Sequence, residues 1–428
     1  MRRASDRSTA LNTLLLALAA AAVGAAFAVG SADAQQADAG QGTPAAGPLE
    51  TRAANAPEQR AAFAGQTRAP RSPSSQPYEV SVLARGLDRP WAVEPLPDGD
   101  LLVTEKPGRL RIVSAQGRVG APIAGLPAVE AVGQGGLLDV ALSPRFDADR
   151  TVYWSYTEPR AGGNATSVAR GVLSADRARL EQVQVIFRAL PAYDGDKHFG
   201  SRLAFGPDGM LYVTLGERSD APMRQQAQRL DSHLGKIVRI RPEGGAPADN
   251  PFVGQPGALP EIWSLGHRNV QAEAFDAQGR LWVVEMGTRG GDELNLVERG
   301  RNYGWPAAAY GEEYSGAPIS SPGVGPAATA RAGTEQPVYY WDPVIAPSGA
   351  QFYGGQSFPG WRGSLFVGGM KDRVLVRLQL RDGRVAGEEH LLAERGQRVR
   401  DVREGPDGAL YVVTDERAGE LWRIAPPR

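Results

Sequence analysis

The 428-residue sequence contains no cysteine. Disulfides, thiolate metal sites and the C-x-x-C-H attachment of c-type haem are thereby excluded, and the fold rests on core packing alone. Histidine is nearly as scarce, with 4 residues, which makes each one conspicuous as a candidate acid or base. A charge excess of one sign is also missing: 47 Lys and Arg stand against 48 Asp and Glu, and the basic residues are scattered. That argues against a nucleic-acid partner, which needs a concentrated basic surface. Long amphipathic helical stretches are not evident. What is abundant is Gly 53 and Pro 33, a supply of tight turns suited to short strands.

Arg2, Arg3 and Arg7 precede an apolar run from Leu14 to Val29, and Ala32-Asp33-Ala34 supplies a small-x-small cleavage site. This is the layout of a secretory signal peptide over residues 1–34. The run is shorter than the roughly 20 residues that span a bilayer, so no membrane span is expected after cleavage. A periplasmic or secreted protein is the expectation. Residues 35–77 are rich in Ala, Gly, Pro, Gln and Ser and offer little to bury, so a disordered linker is expected there. Ordered structure is expected from Tyr78 to residue 428.

From that point the chain repeats itself. Pro97-Asp98-Gly99-Asp100-Leu101-Leu102-Val103-Thr104 returns as Pro207-Asp208-Gly209-Met210-Leu211-Tyr212-Val213-Thr214 and as Pro406-Asp407-Gly408-Ala409-Leu410-Tyr411-Val412. Weaker copies begin at Asp147, Asp276 and Trp361. Each is a turn followed by an apolar strand. Six such units imply a period of about 50–60 residues, the range of four-stranded propeller blades. The fold expected is therefore all-β, a six-bladed β-propeller, in preference to paired β-sandwiches. In a propeller the loops of one face converge on the axis, so residues distant in sequence meet there.

Several loops stand out from this background. His198, in Asp196-Lys197-His198-Phe199-Gly200-Ser201-Arg202, precedes a strand and is placed to aim at the axis as a base; a structural, hydrogen-bonded histidine is the alternative. Gln134 lies in Gly133-Gln134-Gly135-Gly136, which taken alone reads as a structural turn. In Gly266-His267-Arg268-Asn269, Arg268 suits a carboxylate or quinone oxygen, which leaves His267 a structural role. Glu285 to Asn295, followed by Asn302-Tyr303-Gly304-Trp305, combines carboxylates with glycine-rich backbone as Ca²⁺ requires, although solvated acids are the alternative. Lys371, Arg398 and Arg400 form a basic set, with the two arginines on one strand face, suited to a ligand bearing several carboxylates or else to solubility.

Together, Gly-Gln-Gly-Gly-Leu-Leu, His-Phe-Gly-Ser-Arg-Leu, Gly-His-Arg-Asn, Gly-Asp-Glu-Leu-Asn and Asn-Tyr-Gly-Trp-Pro occur in an order that resembles the soluble pyrroloquinoline quinone (PQQ)-dependent sugar dehydrogenases, the glucose/sorbosone dehydrogenase family, in its aldose sugar dehydrogenase branch. The resemblance runs from about Tyr78 to Ile424. It implies a six-bladed propeller that oxidises aldose sugars at the anomeric carbon to aldonolactones. Hydride would pass to PQQ and electrons to an external acceptor such as a quinone or redox protein. His198 would be the general base, with Gln134 lining the site and Arg268 and Asn269 contacting the quinone. Lys371, Arg398 and Arg400 would bind the PQQ carboxylates. The backbone oxygens of Gly287 and Thr288 would hold Ca²⁺ at the cofactor, where relatives often carry proline at the second position; Glu293 and Tyr303 would belong to a further, structural Ca²⁺ site. A monomer or homodimer is implied. The competing readings are a Ca²⁺-dependent propeller lactonase or hydrolase and a non-catalytic propeller that binds glycans or proteins.

Overall fold

A computed structural model describes residues 47–428. The expected signal peptide, and residues 35–46 of the expected linker, lie outside them. Six antiparallel sheets form the blades of a β-propeller. Their innermost strands are Pro90–Pro95, Leu137–Leu142, Leu203–Phe205, Val270–Phe275, Pro347–Phe352 and Val399–Glu404, each in contact with the next around a closed ring. Five blades have four strands; the first has three regular strands, with the Val113–Val119 bridge along its outer edge. The strand Glu79–Leu87 pairs with Gly419–Ala425 and so closes the last blade with an earlier part of the chain.

The sequence repeat is the second strand of every blade, entered through its turn. The aspartate of the turn has a chemical role. Asp208 Oδ2 accepts from the Tyr212 hydroxyl and Asp407 Oδ2 from the Tyr411 hydroxyl, both at 3.1 Å. Asp276 does the same for Trp282 Nε1 at 2.9 Å. The turn thus satisfies the polar end of an aromatic side chain whose body fills the layer between blades. Trp154, Trp282 and Trp422, all fully buried, anchor three such layers.

The central channel is plugged. Arg202 NH1 sits 3.1 Å from Asp139 and 3.0 Å from Asp401, while its other nitrogens donate to the carbonyls of Gln271 and Arg400. Arg403 adds a second guanidinium at 3.2 Å from Asp401. The layer is so tight that a Cβ on Gly349 would fall 1.7 Å from Asp401 Oδ1.

The expectation of a disordered linker is corrected from Gly47 onward. Leu49 N donates to Ala69 O and Arg71 N to Gly47 O, which folds this stretch back on itself. Tyr340 N donates to Gln66 O and Ser72 N to Glu388 O, docking it on the outer strands of the fourth and fifth blades. Gln66 is fully buried. The segment is held by backbone and amide hydrogen bonds, to which apolar content is no guide. Among the described residues, no helix is long and apolar enough to cross a membrane.

Candidate functional site

The site lies on the face where innermost strands begin and second strands end. His198, at φ +49°, sits in a left-handed turn that an L-residue adopts at a cost, and Ser201, Arg218 and Ser219 around it share positive φ. The strain is held by dense bonding. Gln134 Oε1 accepts from His198 N at 2.9 Å. Asn269 Oδ1 accepts from Gly200 N at 3.1 Å, and Gln271 Nε2 donates to Gly200 O. Arg218, its guanidinium 4.1 Å over the Phe199 ring, donates to the carbonyls of Gly195 and Lys197.

The imidazole Nδ1 lies 2.7 Å from Glu217 Oε2. Burial pushes Glu217 upward, but His198 and Arg268 pull its carboxyl below the ordinary value, so it is ionised. An ionised acceptor fixes the proton on Nδ1 and leaves the Nε2 lone pair free, the tautomer a general base needs. Burial, reinforced by Arg268 and Arg224 and opposed by Glu217, lowers the His198 pKa, which keeps the ring neutral near pH 7. Replacing Glu217 by Gln removes the one group that raises this pKa. We expect the acid limb of kcat/KM to move to lower pH and kcat to fall, as a pH–rate profile will show.

Gln134 adjoins a cationic wall. Lys106 Nζ donates to Gly133 O, and Arg400 lies near enough to help depress the lysine pKa, after burial. Arg400 NH1 reaches Gln271 Oε1 at 3.5 Å. Arg398 and Arg400 both hold Asp415 Oδ2 at 2.9 Å, keeping that carboxyl at about 2 against the upward push of burial. Arg398 also touches Met370, beside the exposed Lys371. Arg398 and Arg400 are therefore brought together, with Lys106 as a further cation that the motifs did not reveal; Lys371 is exposed and follows Met370 in the chain.

Opposite stands Arg268, whose NH1 donates to the carbonyls of Met286 and Gly287, with its guanidinium 5.1 Å over the Trp305 ring. His267 is structural as expected: Glu285 and Ser264 hold its two nitrogens at 2.9 Å and Tyr303 stacks on it. Beneath Arg268 a cavity of about 10 Å³, room for one ion or water, is lined by Glu285, Gly287, Glu293, Tyr303 and Tyr310. Burial and the nearby Glu285 push the Glu293 carboxyl well above the carboxylate range. The Tyr303 hydroxyl is not free for a metal, since it donates to Leu296 O at 2.7 Å and accepts from Glu298 N. Asn269 likewise spends its amide oxygen on Gly200, which makes it a support of the His198 turn.

Buried polar atoms without partners gather around this space: Glu217 Oε1, Arg268 Nε, Thr288 Oγ1, Trp305 Nε1 and Arg400 Nε. Such atoms are rare in native interiors and mark where a ligand or water belongs. Glu217 and Lys106 were missed in the sequence, yet a signal exists. Lys106, Glu217, Gly287, Lys371 and Asp415 all stand one to three residues beyond the end of a repeated second strand.

The family model for glucose/sorbosone dehydrogenase matches residues 87–423. The aldose sugar dehydrogenase YliI of Escherichia coli strain K12 is 44% identical over 352 residues, covering 81% of this chain and 92% of the relative. A crystal structure described as glucose dehydrogenase superposes with a TM-score of 0.77 at 49% identity, covering 81% of this chain and 99% of that one. The PQQ-bound aldose sugar dehydrogenase of Streptomyces coelicolor does so with a TM-score of 0.66 at 32% identity, over 82% of this chain and 100% of that one. With the blades, the buried histidine and the motif order all in agreement, the chain belongs to the glucose/sorbosone dehydrogenase family.

Proposed function

We propose that the protein oxidises aldose sugars at the anomeric carbon to aldonolactones, using PQQ and Ca²⁺, and passes the electrons to an external acceptor. The observation that carries this reading is a buried histidine, tied through Nδ1 to Glu217 and through its backbone to Gln134, whose loop is bonded in turn by Lys106 beside Arg400 and Arg398. PQQ bears three carboxylates. A wall in which Arg398 and Arg400 share the single carboxylate of Asp415, and whose Arg400 Nε lacks a partner, fits them. The oxygen-rich loop from Glu285 to Glu293 fits a hard cation. The backbone oxygens of Thr288 and of Gly287, the latter on release from Arg268 NH1, would hold Ca²⁺ at the cofactor, and Glu293 with the main chain near Tyr303 would serve a second ion. When bound, PQQ supplies the two-electron acceptor and Ca²⁺ polarises its carbonyl.

The chain's own residues do the rest. His198 Nε2 takes the proton of the anomeric hydroxyl. Glu217 stabilises the resulting imidazolium across the Nδ1 bond, and Gln134 and Asn269 hold the turn that aims the ring. Arg268 directs positive charge at the face where negative charge accumulates during oxidation. A lactonase would need the histidine and a metal but no polycationic wall.

Mixing the purified protein with PQQ, Ca²⁺ and a panel of aldoses should give sugar-dependent dye reduction. Lactone hydrolysis without dye reduction would overturn the reading in favour of a hydrolase. Within that assay, Arg400→Ala or Lys106→Ala should weaken PQQ binding roughly 10- to 100-fold, the range for one charge-assisted hydrogen bond, as a fluorescence titration will measure.

A further inference from the structure

The segment 47–77 precedes the family match, which begins at residue 87, yet it reaches the loop proposed above to bind a cation. Two of its amide side chains make paired contacts there. Asn55 donates to Asp342 Oδ1 from both its backbone N, at 2.8 Å, and its Nδ2, at 2.9 Å, and Ala56 N donates to Asp342 Oδ2. Gln59 brackets the peptide of Gly311: its Nε2 donates to Gly311 O at 2.9 Å and its Oε1 accepts from Gly311 N at 2.8 Å.

Asp342 and Gly311 are the two flanks of the Gly287–Glu293 loop. On one side, Gly290 approaches Asp342 so closely that a Cβ there would lie 2.9 Å from Asp342 Cγ, and Gly291 N donates to Trp341 O. On the other, Arg289 and Glu312 exchange both backbone hydrogen bonds at 3.0 Å, and their side chains pair at 2.9 Å. The loop itself is glycine-rich, so its oxygens have no rigidity of their own. Its geometry is imposed from the flanks, and the flanks are tied by the same short stretch, Asn55 to Gln59. The far end of the stretch is anchored independently, where Gln66 donates to Pro337 O and accepts from the Tyr310 hydroxyl.

We propose that residues 47–69 are a strap that positions the Gly287–Glu293 loop for cation binding, with Asn55 and Gln59 as its positioning residues. The proposal rests on the assignment of that loop to a cation. It predicts that the strap acts on metal affinity, since it touches neither His198 nor the cationic wall at these residues.

The test uses the full chain without PQQ and measures Tb³⁺ luminescence with Ca²⁺ as competitor. The double variant Asn55→Ala/Gln59→Ala should bind both ions about ten-fold more weakly, which corresponds to roughly 1.4 kcal/mol of net hydrogen bonding. Ser74→Ala, which removes a contact to Trp361 Nε1 just beyond the strap and remote from the loop, should leave the midpoint unchanged. If the parent protein binds neither ion, the assignment of the loop fails and the strap proposal with it. If the parent binds and the double variant matches it, the strap alone is refuted. Equal weakening in both variants would show general loosening and also refute it.

Discussion

Substitution of His198 by glutamine should lower kcat for sugar oxidation by about two to four orders of magnitude, the usual contribution of a positioned general base. Glutamine can keep the contact to Glu217, so the turn should persist, but no side chain then accepts the hydroxyl proton. PQQ affinity should change little, because the cationic wall is untouched. The wild-type pH profile supplies the companion observation. A base is active when unprotonated, so kcat/KM should fall as pH drops through the His198 pKa. Burial places that pKa below its ordinary 6.5, so activity should hold through neutrality and decline only at more acid pH. A variant that retains turnover within a few-fold of the parent would remove His198 from the chemistry.

Substitution of Arg202 by leucine should cost about 3–5 kcal/mol of stability, the penalty for stripping one partner from a buried ion pair. Asp139 and Asp401, both fully buried, would be left facing each other with only Arg403 between them. The loss should appear as a lower urea midpoint. Arg202 is four residues from His198, and its NH2 holds the carbonyl of Arg400, so the same substitution should also loosen the site. Arg202→Lys, which keeps the charge but not the fork, should fall between leucine and the parent. An unchanged midpoint for the leucine variant would mean that the plug contributes nothing to stability.

The blades were legible because their signal is local: a turn, an aspartate and an apolar strand, repeated. The site was legible where residue type is restrictive, as for His198, Arg268 and Arg400. Glu217 and Lys106 carry no such mark, since a single acid or lysine after a strand is common. Only the geometry gives them meaning, when Glu217 closes on Nδ1 and Lys106 meets Gly133. Tyr303 shows the converse. Its motif stands where expected, but its hydroxyl serves the backbone. The strap was illegible for a further reason. Its anchors, Asn55, Gln59 and Gln66, find partners more than two hundred residues away, and amide hydrogen bonds leave no periodic trace in sequence.

The pairing of Glu79–Leu87 with Gly419–Ala425 has a consequence for how the molecule comes into being. During synthesis the first of these strands emerges more than three hundred residues before its partner, so the ring stays open until almost the whole propeller has been made. Until then the last blade lacks a wall, and its half-built sheet edge can pair with any neighbouring chain. The join is also among the most sequence-distant contacts in the molecule, the kind that forms late and slowly. Assembly of the site is then a terminal event: Arg398 and Arg400 join the wall only when that last blade does. A nascent chain would carry its histidine long before it could hold a cofactor.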